Sequence, residues 1–158
     1  KNQLVGVLSK EYLDRLPEIL KRKGAQNIMT LRSDDGMDEF STSATNRVCI
    51  LKNDKVLMNA IDPEVLGLHK SKLEDIQIQT KEEAIKSFVG VLNGTANQAM
   101  IETAALNAAG GLIVANISKN FEEATELALS TINDGKAFNV LERFVEDTGD
   151  ILKLREIL

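Results

Sequence analysis

Apolar positions in the first thirty residues change period twice. Residues 3–8, QLVGVL, form a short apolar run of the kind a buried strand carries. From Ser9 onward Leu13, Leu16, Ile19 and Leu20 fall at helical spacing, with Ser9 as the predicted cap and Gly24 as the C-terminal stop. Residues 27–31, NIMTL, return to a strand pattern. Strand, helix and strand in this order predict two parallel strands joined by a right-handed crossover. Pro17 breaks the helix pattern at a cost of about 3 kcal/mol if it is interior, which predicts a kink or a late helix start.

Residues 47–51 and 55–59 are two further apolar runs around Lys52, Asn53 and Asp54, the pattern of a β-hairpin. Beyond residue 79 the pattern is helical. Thr80 with Glu83 has the spacing of a capping box for a helix reaching about Leu92, and Asn120 with Glu123 has the same spacing for a helix closing at Gly135. Between them residues 96–115 are rich in alanine and contain Gly110 and Gly111, which predicts a buried helix with close backbone packing. Residues 137–146 and 150–158 predict two closing helices. The fold class is therefore α/β: a partial parallel or mixed sheet with a β-hairpin and flanking helices, and a largely helical second half.

Composition narrows the function classes. The chain has 158 residues, 43% hydrophobic and 27% charged, as a single globular domain would. Its most apolar stretch, residues 104–115, is interrupted by Asn107 and is shorter than the roughly 20 residues of a membrane span. Net charge is −5, against a broad nucleic-acid footprint. The single Cys49 excludes an internal disulfide and a thiolate zinc cage, and a reducing, cytoplasmic setting is expected. Residues 1–79 carry 12 basic and 12 acidic groups and residues 80–158 carry 7 and 12, so the net charge lies in the second half. The chain opens on Lys1 and enters an apolar run almost at once, so it reads as one entered partway.

The most concentrated chemistry lies in the charge-balanced half. Asp34, Asp35, Gly36, Met37, Asp38 and Glu39 place four carboxylates just past a strand end, where ligands bind in parallel α/β sheets. A magnesium ion would relieve their repulsion, taking a few carboxylates and sharing its other positions with water and substrate phosphates. A solvated acidic turn is the other reading. Ser41, Thr42, Ser43 and Thr45 follow, as phosphate contacts or as a polar loop. His69, the one imidazole, has no evident partner in its segment and reads as a surface residue; Asn107 reads as packing or as a hydrogen-bonding group for a loop or ligand; Lys136 reads as a cation at a helix boundary. No GxGxxG or GxxxxGK[ST] phosphate loop occurs.

In order and spacing, the segments QLVGVLSKEYLDRLPEILKRKGAQNIMTL, GMDEFST, DPEVLGL, LNGTANQAMIETAALNAAGGL and INDGKAFNVLERF resemble the C-terminal half of the anthranilate phosphoribosyltransferases. The likeness covers nearly the whole chain. Gly36-Met37-Asp38-Glu39 is similar to the family's Gly-Leu-Asp-Glu metal motif, and Asn107-Ala108-Ala109 and Gly135-Lys136-Ala137 to its late helices. The resemblance implies an α/β domain of the nucleoside phosphorylase and phosphoribosyltransferase type, with residues 1–158 as its C-terminal portion. It implies phosphoribosyl transfer from phosphoribosyl pyrophosphate to anthranilate with loss of pyrophosphate, in tryptophan biosynthesis, by a homodimer that engages neither nucleic acid nor membrane. Asp38 and Glu39 would hold a Mg2+ bridging to the pyrophosphate; Asp34 and Asp35 do not match the motif. The family's Gly-Thr-Gly-Gly-Asp loop, Lys-His-Gly-Asn motif and anthranilate-contacting arginine are not in this sequence, so the 158 residues alone are expected to fold without turnover. A pyrimidine-nucleoside phosphorylase-like enzyme and a non-catalytic, partner-binding derivative of the transferase are the alternatives.

Overall fold

The structure, a computed structural model, describes residues 1–52 and 55–158. The switch of period appears as β1 (Asn2–Gly6), α1 (Glu11–Arg22) and β2 (Asn27–Ser33). β1 and β2 are parallel, Asn2 opposite Asn27 and Gly6 opposite Leu31. β1 stops short of the apolar run because only Val7 continues the pairing, its N–H 2.9 Å from the Leu31 carbonyl, whereas Leu8 turns out to solvent. β3 (Asn46–Lys52) lies antiparallel to β2, and β4 (Lys55–Ile61) antiparallel to β3. Among the described residues they form one mixed sheet in the order β1-β2-β3-β4. The two strands of the hairpin pair as the sequence predicts, and Asn53 and Asp54, the expected turn residues, lie outside the described residues.

Pro17 is interior to α1, which starts at Glu11 rather than late. A proline cannot donate to the carbonyl four residues back, here Leu13. That carbonyl accepts a hydrogen bond from the Thr30 hydroxyl of β2 instead. Thr30 is fully buried, so the helix defect and the buried hydroxyl satisfy each other across the layer. Thr30→Val strands a buried carbonyl and is expected to cost about 1–3 kcal/mol in denaturant unfolding. The same change in a Pro17→Ala background costs less, because an alanine N–H at that position restores the helix donor; equal costs in both backgrounds contradict the pairing. The predicted cap is looser than expected: Lys10 takes the cap position, and Ser9 Oγ accepts the Glu11 N–H at 3.3 Å. Gly24 closes the helix with φ +89°.

The second half is helical as its pattern predicts: α2 (Lys81–Leu92), α3 (Gln98–Val114), α4 (Phe121–Asn133), α5 (Lys136–Thr148) and α6 (Ile151–Arg155). Thr80 and Glu83 make a reciprocal capping box. Asn120 caps α4, whereas the Glu123 carboxylate receives the N–H of Lys119 rather than that of Asn120.

Strand alternation sends neighbouring residues to opposite faces. Met29, Leu31 and Val48 pack with Phe40 against Leu106, Ala109 and Val114 of α3 and Phe121 and Ala124 of α4. On the other face Val7 and Cys49 meet Leu13 of α1. The sheet is thus a middle layer, and the segment joining β2 to β3 emerges at its β1 and β2 carboxyl ends.

Candidate functional site

That segment carries the acidic group, and its four carboxylates divide by partner. Asp34 faces Arg47, whose Nη2 and Nε donate to its Oδ2 at 2.7 and 3.0 Å. This hydrogen-bonded guanidinium holds the Asp34 carboxyl below its ordinary range. Asp35 folds inward: its Oδ1 accepts the Met37 N–H at 3.1 Å and its Oδ2 accepts the Ser43 hydroxyl. Burial pushes Asp35 upward, but bonds from Ser41, Ser43 and the Met37 backbone outweigh it and leave the carboxyl lowered. Both residues therefore close the loop on itself.

A lowered carboxyl stabilises the fold above its unfolded value of 3.8, and that contribution is lost as pH falls through the folded value. Asp35→Asn is expected to lower stability near neutrality and to flatten its loss below about pH 4. Urea midpoints measured across pH check this; a parallel, undiminished acid limb in the variant contradicts it.

Asp38 and Glu39 are different. Asp38 is half-buried, Glu39 is exposed, and no side chain of opposite charge pairs with either among the described residues. Partial burial and the adjoining Asp38 carboxyl push Glu39 above its ordinary value. The two like charges are held by their scaffold rather than by a counter-ion. Gly6, at the end of β1, lies so close to the Asp38 main chain that a Cβ there would sit 2.0 Å from the Asp38 carbonyl oxygen. Phe40 follows Glu39 and is fully buried, its ring edge-on to Phe121 with centroids 5.5 Å apart.

The hydroxyl run turns its polar atoms inward. Asn46 grips the Ser41 main chain, accepting its N–H at 2.8 Å and donating to its carbonyl at 2.9 Å. Thr42 Oγ1 lies 2.7 Å from Ser71 Oγ and 2.8 Å from Thr103 Oγ1. Ser41, Thr42 and Ser43 thus form the polar loop rather than a set of free phosphate donors. Asn107, on α3, bonds the loop at Phe40, one of the two roles its sequence left open.

His69 is exposed, as expected, yet it does have a carboxylate partner. Glu102 of α3 accepts the His69 N–H at 2.7 Å through Oε2 and lies 2.8 Å from Nδ1 through Oε1. Glu102 is only 6% exposed. The signal was present in the sequence: Glu102 is the one acid between Glu83 and Glu122. Gly6 was signalled too, as a glycine inside a strand run. Lys136 pairs with Asp134 at 2.7 Å at its helix boundary.

Hard carboxylate oxygens suit Mg2+, which binds through one or two carboxylates and completes its shell with water and phosphate oxygens. The Asp38 and Glu39 pair fits that donor set. No three His, Cys, Asp or Glu side chains converge into a metal cage among the described residues. No helix among them is long and apolar enough to cross a membrane.

Comparison with known proteins agrees with this architecture. The anthranilate phosphoribosyltransferase of Nitrosopumilus maritimus is 84% identical over 157 residues, which span 99% of this chain and 45% of that protein. The anthranilate phosphoribosyltransferase structure from Thermus thermophilus superposes with a TM-score of 0.79 at 30% identity, covering 89% of this chain and 41% of that one. The Saccharomyces cerevisiae enzyme, solved in complex with PRPP and Mg, shares the fold with a TM-score of 0.74 at 23% identity over 90% of this chain and 41% of its own. The chain thus spans less than half the length of these relatives. Residues 1–138 match the glycosyl transferase family, a/b domain, and with the greater part of its length so matched the chain belongs to that family.

Proposed function

We propose that the chain forms the metal-binding edge of a phosphoribosyl-transfer site. The reaction moves the phosphoribosyl group of phosphoribosyl pyrophosphate to the amino group of anthranilate, giving N-(5-phosphoribosyl)anthranilate and pyrophosphate. One observation carries the reading: two adjacent carboxylates that pair with no cation among the described residues are backed by the end of β1, in a chain whose relatives are anthranilate phosphoribosyltransferases.

Displacement at the anomeric carbon passes through an oxocarbenium-like state, so charge gathers on the departing pyrophosphate. When bound, Mg2+ supplies charge neutralisation at the pyrophosphate oxygens. Asp38 and Glu39 are the residues that would hold it. Gly6 and Phe40 fix the main chain on either side of the pair, and Asp34 and Asp35 keep the loop closed. This chain is the C-terminal α/β portion of the transfer domain. Ile85, Phe88, Val140 and Phe144 are exposed apolar side chains on α2 and α5, a surface consistent with cover by more protein in a homodimeric enzyme. On this account the 158 residues do not turn over alone; product formed from phosphoribosyl pyrophosphate and anthranilate above a metal-free control overturns that part.

Calorimetric titration with Mg2+ and inorganic pyrophosphate tests the metal role. The unsubstituted chain is expected to bind, and Asp38→Asn/Glu39→Gln to lose at least about tenfold in affinity with its thermal unfolding little changed. Equal binding by both leaves the acidic loop as a solvated turn.

A further inference from the structure

Asp38 and Glu39 set two like charges next to each other, and like charges repel. Their backbone is held from two sides. Gly6 backs Asp38 from β1. On the Glu39 side the contact comes from one side chain of α3. Asn107 Oδ1 accepts the Phe40 N–H at 3.0 Å, and Asn107 Nδ2 donates to the Phe40 carbonyl at 2.7 Å and to the Thr103 carbonyl at 2.9 Å. Both main-chain groups of the residue after Glu39 are therefore held by a single carboxamide. Aspartate there loses the donor, and an aliphatic residue leaves both groups of Phe40 without their partner. The Phe40 ring adds a second anchor against α3, pressed over Gly110.

We propose that Asn107 is a positioning residue for the Asp38 and Glu39 pair, fixing the Phe40 backbone and with it the main chain that carries the two carboxylates. This inference rests on the metal reading above. Partners that orient ligands in this way are worth roughly 10–100-fold in metal affinity.

The test compares the unsubstituted chain with Asn107→Ala and Asn107→Leu, the second keeping volume in the pocket while removing both bonds. Mn2+ is titrated with inorganic pyrophosphate present, read by paramagnetic broadening of the Asp38, Glu39 and Phe40 amides, alongside thermal unfolding. Leu13→Ala, in the core on the opposite face of the sheet, serves as an equally or more destabilised control. Expected are Mn2+ affinities lower by about tenfold or more in the Asn107 variants and unchanged in folded Leu13→Ala. Unchanged affinity in a folded Asn107 variant, or an equal loss in the control, overturns the positioning role. No saturable broadening in the unsubstituted chain instead overturns the metal reading, and this inference with it.

Discussion

Gly6→Ala is expected to weaken Mg2+ and pyrophosphate binding by at least about tenfold and to destabilise the chain by about 1–3 kcal/mol or more. The added Cβ would lie 2.0 Å from the Asp38 carbonyl oxygen, 2.8 Å from its carbonyl carbon and 3.0 Å from its Cβ. None of these atoms is the far end of a flexible side chain. Either β1 withdraws from β2 or the Asp38 main chain moves. Moving Asp38 separates it from Glu39 and undoes the pair. Calorimetry with Mg2+ and pyrophosphate, together with denaturant unfolding, checks both effects. A Gly6→Ala chain that binds as tightly as its parent contradicts the close approach of β1 to the loop.

Gly110→Ala is the second large effect, expected at about 1–3 kcal/mol, even though alanine is the better helix former by roughly 1 kcal/mol. Its Cβ would come 2.5 Å from a Phe40 ring carbon and 3.2 Å from Leu4 Cδ2. The ring has nowhere to go, because Phe121 lies edge-on to it on the α4 side. Gly111→Ala is the internal comparison: nothing lies within 4 Å of a Cβ there, so the same substitution one residue along is expected to be neutral or stabilising. Opposite signs at the two neighbouring positions, measured by thermal unfolding, separate packing from helix propensity. Matching signs remove the argument that α3 is shaped around Phe40.

These two glycines show how much of the molecule its sequence displays. The β1–α1–β2 unit, the hairpin and the caps at Thr80 and Asn120 depend on residues a few positions apart, so periodicity and spacing expose them. Pro17 shows the limit. Within α1 it looks like a defect, because the group that compensates it is Thr30, which reaches the Leu13 carbonyl only through tertiary packing. The acidic loop behaves likewise. Sequence groups Asp34, Asp35, Asp38 and Glu39 together, and only family resemblance singles out the last two. The physical sorting comes from Arg47 and Ser43, which the fold brings to Asp34 and Asp35. His69 seemed to lack a partner because Glu102 stands 33 residues away. The hydroxyl run could have been a phosphate cradle; Thr103 and Ser71 closing on Thr42 make it part of the scaffold.

The central claim is that Asp38 and Glu39 together hold a divalent ion to which pyrophosphate binds. Its most direct test is anomalous diffraction from crystals of the chain grown with Mn2+ and inorganic pyrophosphate. The account predicts a single strong anomalous peak within ligand distance of both the Asp38 and Glu39 carboxylates, with ordered pyrophosphate beside it. A peak on Asp34 or Asp35, or ordered pyrophosphate with no metal at Asp38 and Glu39, would contradict it.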